Sequence, residues 1–198
     1  MLRLGSDTGP AVLAVPALFE EANRTRTLLV MTLRLLADRG IAGALPDLPG
    51  QNDSLLPTID ARLSAWRGAL AAAARCLPGP VHVVAIRGGA LLDAAVDAAS
   101  RWYLAPLSGE AQVRELDRLR RAGGGQDYAG NDLHPDLLTA LAAAEPITAG
   151  PLRVVRMEGD PRPADRILAA APPWRASEPR ADPALAAMLA DDIAGWIE

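Results

Sequence analysis

Arg87 stands at the centre of a turn that could place a side chain for chemistry. The apolar, β-rich segment Val81–Ile86 precedes it, Gly88 and Gly89 follow it, and residues 90–100 have the composition of a helix. A sharp turn of small residues between a strand and a helix can thrust a nucleophile outward. An arginine cannot serve as that nucleophile, because its guanidinium stays protonated at any working pH. The turn therefore predicts a fixed cation at the place of an attacking group.

Three roles are open for this arginine. As a buried structural cation it needs a carboxylate partner, because an unpaired buried charge is very costly. Glu20 or Glu21 could be that partner, since both follow the first apolar strand. As an anion-binding residue, Arg87 would act beside the free N–H groups of a helix that begins at Gly88. As a solvated turn residue it would do nothing. We expect the pairing with Glu20 or Glu21.

The two adjacent carboxylates have a chemical and a structural interpretation. Carboxylates in a cleft can be tuned for general acid and base catalysis. Alternatively, one of Glu20 and Glu21 forms a salt bridge and the other lies exposed at the start of a helix, where the helix dipole favours acidic residues. We expect the structural interpretation, and we expect Asn23 to be the N-cap of a helix over residues 25–38.

Ser54 and Ser108 are the serines that could face a cleft. Ser54 belongs to a turn in which Asp and Ser side chains usually hydrogen-bond their own backbone. Ser108 follows the end of a strand, which is a good position for a ligand contact in an α/β sheet. No base is evident near Ser108 in the sequence, so it is a weak candidate nucleophile.

The two histidines are not placed for catalysis or metal binding. His82 lies in the middle of a predicted buried strand, and His134 precedes a helix that begins at Pro135. A triad histidine is expected on a loop after the last strand. Asp160 lies near a triad-acid position, but Pro-flanked turns use Asp routinely. Two distant histidines are also a poor metal signature. We expect no catalytic triad, no metal and no cofactor.

The bulk composition predicts one globular domain over residues 1–198. Of these residues 50% are apolar and 22% are charged, and the net charge of −4 argues against a nucleic-acid partner. The single cysteine, Cys76, excludes an internal disulfide, fits a reducing compartment and is expected to be buried. No apolar run reaches the about 20 residues of a membrane span. Residues 11–19 lack signal-peptide flanks, so a cytoplasmic location is expected.

Apolar runs alternate between strand-like and helix-like spacing. Strands are predicted at residues 11–15, 41–48, 81–86, 102–104 and 152–157, and helices at residues 25–38, 58–77, 90–100, 110–121 and 184–197. This alternation predicts an α/β fold with a mostly parallel sheet of about five or six strands and helices on both faces. Residues 122–131 are Gly-rich and are predicted to form a mobile loop, and residues 159–182 an irregular Pro- and Ala-rich segment.

Three motifs in this order resemble those of the α/β-hydrolase superfamily. Residues 16–26 follow the first core strand and read PALFEEANRTR. Residues 47–54 follow the next strand, read DLPGQNDS and resemble a D-x-x-G-x-G-x-S loop. Residues 85–89 read AIRGG where the nucleophile elbow is written G-x-S-x-G, and WYLAPLSGE follows at residues 102–110.

Together the motifs resemble the second type of hydrolase-like protein associated with the exosortase A system of Gram-negative bacteria. The resemblance covers residues 11–145, and it implies an arginine at the nucleophile position and a link to exopolysaccharide or envelope biogenesis. The chain departs from the pattern at Val15, where the family has histidine, and at Asn52, where glycine is usual. The short segment before residue 11 implies a trimmed domain that largely lacks the antiparallel first strands.

We therefore expect a degenerate, non-catalytic α/β-hydrolase-like protein that acts in binding or as an accessory. In open α/β sheets ligands bind beyond the C-terminal strand ends. Residues 16–21, 48–54, 87–89 and 106–109 are thus expected to converge on one electropositive pocket for a small anionic ligand. The candidate ligand-binding residues are Phe19, Glu20, Glu21, Asp53, Arg87, Gly88 and Ser108.

Three alternatives stay open. The protein could hydrolyse acyl or ester-type substrates with an atypical nucleophile or a carboxylate-activated water. It could be a structural homodimer, because Trp174, Trp196 and Ile197 lie in Pro-rich or terminal segments where apolar groups can be left for a neighbour. Finally, the cleft could be vestigial and filled by Phe19 and Leu107.

Overall fold

The described residues form a seven-stranded sheet with helices on both faces. The structure is a computed structural model that describes residues 1–51, 54–125 and 127–197. The strands are β1 (Leu2–Leu4), β2 (Ala11–Val15), β3 (Ala42–Leu45), β4 (Val81–Ile86), β5 (Ser100–Leu104), β6 (Leu152–Met157) and β7 (Arg166–Leu168). Their order across the sheet is β1-β3-β2-β4-β5-β6-β7, and every neighbouring pair is parallel except β1 with β3.

The predicted α/β fold and its mostly parallel sheet are confirmed, with more strands than the apolar pattern indicates. The two strands missed are β1 and β7, which lie at the edges and have three residues each. Three residues are too few to show a period, and Arg3 and Arg166 interrupt their apolar character. Only pairing with a neighbouring strand defines them. Strand β1 supplies one short antiparallel partner where the sequence implies that such strands are largely missing.

Five α-helices flank the sheet in the described residues. They are α1 (Glu20–Ala37), α2 (Leu63–Arg75), α3 (Gly109–Gly123), α4 (Pro135–Ala142) and α5 (Pro183–Ile197). Short 3-10 turns cover Thr58–Asp60, Arg87–Leu91, Asp93–Ala95 and Pro173–Arg175. The single helix predicted over residues 58–77 is divided, because Ala61 and Arg62 have extended backbone between the 3-10 turn and α2.

The helix predicted over residues 90–100 is wrong. This fully described stretch contains two 3-10 turns and then enters β5. Asp93 is completely buried, and its carboxylate accepts hydrogen bonds from Arg101 Nε and Tyr103 Oη, both at 2.8 Å. Because both donors belong to β5, the chain must stay beside that strand and cannot extend as a regular helix.

Two single-residue predictions are also wrong. Helix α1 begins at Glu20, so Asn23 lies inside it, and the N-cap position belongs to Phe19, which makes no side-chain capping bond. The sharp backbone turn at Phe19 sets this start, where a cap was expected to do so. Cys76 is exposed, because it is the C-cap of α2 and follows the last residues of that helix that pack on the sheet.

Two apolar layers hold the helices on the sheet. Successive strand residues point to opposite faces. Leu13 and Val83 therefore face one layer, and Val12 and Val84 face the other. The first layer includes Trp66 and Leu70 of α2, Leu116 of α3 and Leu137 of α4, and the second includes Leu28 and Leu33 of α1 with Leu189 and Ile193 of α5. None of the helices in the described residues has the length and apolar character of a membrane span.

Asp192 ties α5 to three neighbouring strands. Its buried carboxylate accepts hydrogen bonds from Trp102 Nε1 of β5 at 2.8 Å, from Arg153 Nη2 of β6 at 2.8 Å, and from Arg166 Nη1 of β7. Burial alone would raise the pKa of Asp192, but these donors hold the pKa below its ordinary value. The ionised carboxylate is therefore a stabilising group at neutral pH.

We predict that Asp192→Asn lowers the free energy of unfolding by about 2–4 kcal/mol, because three donors lose a charged acceptor. The adjacent Asp191→Asn is the matched control, since Asp191 is 65% exposed, pairs with Arg39 and should cost less than about 1 kcal/mol. Urea unfolding at neutral pH measures both. Since a lowered pKa gives stability that is lost as the pH falls through it, the wild type should lose this advantage in acid. Equal losses in the two variants would contradict the prediction.

Candidate functional site

The elbow after β4 has a strained backbone at its centre. Arg87 has a φ of 53°, which non-glycine residues rarely adopt. An added Cβ at Gly89 would lie 2.4 Å from the carbonyl oxygen of Pro16, so only glycine fits there. A second strained turn follows β2 at Phe19, with φ 57° and ψ −129°. Since β2 and β4 are parallel neighbours, both turns lie at one edge of the sheet, and strain of this kind concentrates at functional sites.

Arg87 is a buried cation held between two carboxylates. Its side chain is 6% exposed. Nε and Nη2 donate to Glu21 Oε1 at 3.1 and 3.0 Å, and Nη2 also donates to the Glu115 carboxylate at 2.8 and 2.9 Å. The predicted pairing with Glu20 or Glu21 is confirmed for Glu21. Glu115, from α3, is a second partner, and the burial excludes a solvated turn residue.

Trp174 places its indole ring over this guanidinium. Arg87 Cζ lies 4.9 Å from the ring centroid, which is a cation–π geometry. Trp174 belongs to the 3-10 turn beyond β7, and its carbonyl oxygen accepts a hydrogen bond from Arg24 Nη1 at 2.9 Å. Arg24 also pairs with Glu20 on the same helix. Helix α1 therefore holds the Trp174 turn over the elbow.

The Arg87 cluster carries an excess of negative charge. One guanidinium faces two carboxylates, so Arg87, Glu21 and Glu115 sum to one net negative charge when all are ionised. Burial raises the pKa of Glu21 and Glu115 adds to the effect, although Arg87 and Arg24 oppose it. Helix α3 thus brings a second carboxylate to the cation, and the electropositive pocket expected at the elbow stays a prediction.

A cavity of about 200 Å³ opens beside the cluster. Its lining consists of Leu18, Phe19, Glu20, Glu21, Arg24, Arg87, Gln112, Glu115, Leu116, Arg118, Leu119, Trp174 and Arg175. We call it the elbow cavity. A second cavity of about 290 Å³ shares Arg87, Trp174 and Arg175 with it and is completed by residues 157–162 and Pro172. Arg87 and Trp174 therefore lie between two open spaces.

The prediction that four strand-end segments converge on one pocket is only partly right. Residues 18–21 and Arg87 line the elbow cavity. The described residues of 48–54 line neither cavity, and neither do residues 107–109. Helix α3 and the Trp174 turn take their place. The candidate Asp53 in this loop lies outside the described residues.

The loop after β3 packs against α2. Trp66 is completely buried, and its Nε1 donates to the Pro49 carbonyl oxygen at 2.7 Å. The Phe19 and Trp66 rings pack with centroids 5.9 Å apart. Phe19 therefore fills the space between the loop and the elbow, as the vestigial interpretation expects, while the other side of the elbow stays open.

Gln112 of α3 covers the residue that follows Arg87. Its side chain is buried, and an added Cβ at Gly88 would lie 2.1 Å from Gln112 Oε1. This oxygen is enclosed and has no donor among the described residues. The Gln112 amide therefore occupies the space over the Gly88 backbone, and a larger residue at position 88 would displace it.

The serines proposed from sequence have structural roles in their observed positions. Ser108 is the N-cap of α3, and its Oγ accepts a hydrogen bond from Ala111 N at 3.2 Å. Ser54 Oγ accepts from Gly50 N at 2.8 Å and from Leu56 N at 3.1 Å, as its turn predicts. Neither serine lines the elbow cavity.

The histidines lie away from Arg87. His82 Nδ1 shares a hydrogen bond of 2.8 Å with Ser100 Oγ, and burial lowers the pKa of His82. His134 Nδ1 accepts from Asp136 N at the start of α4. Asp160 binds no histidine and is held by Arg156 at 3.1 Å and Arg162 at 2.7 Å. In the described residues no group of three potential ligands could hold a metal ion.

Sequence reasoning missed three residues of the site, namely Gln112, Glu115 and Trp174. Gln112 and Leu116 are one helical turn apart on the buried face of α3, so a polar residue on an apolar stripe is the signal that could have indicated Gln112. Glu115 gives no such signal, because it looks like one charge among many on α3. Trp174 supported only the homodimer alternative in the sequence, and it is 6% exposed inside its own chain.

The whole-chain fold resembles solved α/β-hydrolases. No protein-family model and no curated protein matches the sequence. Mouse alpha/beta hydrolase domain-containing protein 10 matches with a TM-score of 0.67 and 14% identity over 99% of this chain and 92% of that one. A proposed hydrolase from Agrobacterium vitis S4 matches with a TM-score of 0.64 and 16% identity over 98% of this chain and 90% of that one. Est1E from Butyrivibrio proteoclasticus, solved with ferulic acid bound, matches with a TM-score of 0.54 and 14% identity over 77% of this chain and 69% of that one.

These likenesses define the class of fold, which is that of the α/β-hydrolases. In this fold the catalytic residues follow one another as nucleophile, acid and histidine. The elbow after β4, the loop after β6 and the loop after β7 come in the same order here, and they carry Arg87, Asp160 and Trp174. The hydrolase scaffold is therefore present with a cation, a salt-bridged acid and an indole at these points.

We predict that Arg87→Met lowers the free energy of unfolding by about 2–4 kcal/mol, because it leaves the Glu21 carboxylate without its cation. Arg114→Met on α3 is the control, since Arg114 is 65% exposed, pairs with Glu110 at 2.9 Å and should change stability by less than about 1 kcal/mol. Adding Glu21→Gln to Arg87→Met should recover part of the loss. Denaturant unfolding that shows no difference between the two arginine variants would refute the structural role.

Proposed function

We propose that this protein is a non-catalytic member of the α/β-hydrolase fold class that binds a small organic acid in the elbow cavity. The observation that carries the proposal is Arg87 itself. The strained elbow is kept, but its central side chain is a guanidinium bound to Glu21 and Glu115. A protonated guanidinium has no electron pair for attack on a carbonyl.

The surroundings of the elbow support the loss of catalysis. A hydrolase stabilises the oxyanion with the backbone N–H of the residue after the nucleophile. In this chain that residue is Gly88, and the enclosed oxygen of Gln112 packs on it. An oxyanion forming there would meet an acceptor oxygen, and like partial charges destabilise it.

The outer lining of the elbow cavity supports binding of an acid. Arg118 and Arg175 are exposed, and neither forms an ion pair within the described part of the chain. Arginine is well suited to carboxylate and phosphate groups because its planar fork can donate two parallel hydrogen bonds. Leu18, Leu116 and Trp174 offer apolar surface beside these two cations.

A carboxylate-activated water is the competing function. Glu21 lines the cavity and burial raises its pKa, which is how a general base is tuned toward neutral pH. Its engagement with Arg87 counts against this role, since the guanidinium competes with water for the same oxygens.

The cellular role that we propose is an accessory one in the bacterial cytoplasm, linked to exopolysaccharide or envelope biogenesis. The support is the motif resemblance to the exosortase-associated proteins. A gene that lies beside exosortase and exopolysaccharide genes in several genomes would agree with it. A scattered gene neighbourhood would count against it. Homodimer formation remains a prediction for light scattering.

We predict no hydrolysis of short-chain p-nitrophenyl esters and no labelling by a fluorophosphonate probe. A serine esterase assayed in parallel is the positive control. Labelling that disappears in Ser108→Ala would make Ser108 a nucleophile. Ester hydrolysis that disappears in Glu21→Gln and survives in Glu110→Gln would establish the carboxylate mechanism. Either result would overturn the non-catalytic function.

We predict that millimolar butyrate or phosphate raises the melting temperature of the wild type and raises it less in Arg175→Gln. Arg180→Gln is the control, because Arg180 is exposed and does not line the cavity. Both substitutions remove one exposed charge, so a general salt effect would change them equally. Equal shifts in the two variants, or none in the wild type, would contradict the binding function.

A further inference from the structure

The elbow cavity has a polarity that a simple anion does not match. Toward its inner end Glu21 and Glu115 both bind the guanidinium of Arg87, and the amide oxygen of Gln112 has no donor among the described residues. At its outer edge Arg118 and Arg175 have no carboxylate partner among the described residues. Acceptors are therefore in excess at one end and donors at the other.

Gln112 shows independently that the inner end lacks a donor. The residue is 3% exposed and lines the cavity, yet its amide oxygen has no hydrogen-bond partner in the part of the chain described. A buried acceptor without a partner costs about 1–3 kcal/mol. A group on a bound ligand that donates to this oxygen would remove that cost.

The two carboxylates lead to the same conclusion. Glu21 and Glu115 share one guanidinium, which leaves one net negative charge in a partly desolvated place. The charge can be balanced by a proton or by a second cation. Burial raises the pKa of Glu21, and the nearby charge of Glu115 adds a smaller increase. An ammonium group of a ligand would bring both the charge and several N–H donors.

We propose that the ligand is bipolar, an aliphatic amino acid-like molecule with its ammonium group at Glu21 and Glu115 and its acid group at Arg118 and Arg175. This inference rests on the proposed binding function and names the substrate class of the same site. The apolar side chains of Leu116 and Trp174 then contact the methylene groups between the two charges.

Three probes of similar size separate the two charges. We expect γ-aminobutyrate to bind at least about tenfold more tightly than butyrate or n-butylamine in calorimetric titrations of the full chain. Only γ-aminobutyrate carries both the ammonium group and the acid group that the two ends of the cavity bind. Glu115→Gln should remove the advantage of γ-aminobutyrate over butyrate. Arg118→Gln should remove its advantage over n-butylamine.

Control substitutions on the same helix are Glu110→Gln and Arg114→Gln, which alter an exposed ion pair outside the cavity. Both should leave the binding of all three probes unchanged. Butyrate that binds as tightly as γ-aminobutyrate would overturn the bipolar ligand and leave the acid-binding function intact. Tight n-butylamine binding without butyrate binding would overturn the acid-binding function as well. Failure of all three probes to bind would overturn both.

Discussion

A guanidinium buried at the elbow requires neutralisation within the chain, and the arrangement of the site follows from that requirement. Transfer of a charge out of water costs several kcal/mol unless partners replace the lost hydration. Arg87 obtains those partners from three directions, with Glu21 on α1, Glu115 on α3 and the indole of Trp174 beyond β7. Elements far apart in sequence are thereby fixed to one point. An elbow that presents a reactive group in other hydrolase folds is here a structural junction.

The same junction explains why the hydrolase scaffold persists without a recognisable triad. The strained φ at Arg87 and the close approach of Gly89 to Pro16 belong to the turn itself and do not depend on a serine. Strain of this kind costs about 1–3 kcal/mol and persists only where surrounding contacts fix it. The bidentate ion pair and the cation–π contact are such contacts. The geometry of the elbow is therefore held by electrostatic contacts of the Arg87 side chain.

The cation has a second consequence for the neighbouring space. Helix α3 lies close enough to the elbow for Glu115 to bind Arg87. In the same position Gln112 packs on Gly88, and Leu116 lines the elbow cavity. The cavity that remains is small and is bounded by charges of both signs. Glu21 and Glu115 share Arg87 at the inner end of the cavity, which leaves an excess of carboxylates there, and Arg118 and Arg175 lie at its outer edge. The shape of the cavity and the packing of α3 are thus coupled through Arg87.

The sequence by itself determined the sheet core, the elbow and one of its ion pairs. Val81–Ile86 is an uninterrupted apolar run, Gly88 and Gly89 mark the turn, and a buried arginine needs a carboxylate. The apolar run and the glycines are local patterns, and the ion pair follows from the cost of burying an unpaired charge. The adjacent acids limited the partner from α1 to Glu20 or Glu21, and the structure selects Glu21.

Only the tertiary structure decided the rest of the site. Glu115 and Trp174 are 28 and 87 residues beyond Arg87 in the chain (115 − 87 and 174 − 87), and nothing local to either residue indicates the contact. The failed helix over residues 90–100 has the same origin, because the buried carboxylate of Asp93 is bound by side chains of β5. Local propensity is worth tenths of a kcal/mol per residue, whereas satisfying a buried charge is worth several. Where the two compete, the long-range contact prevails.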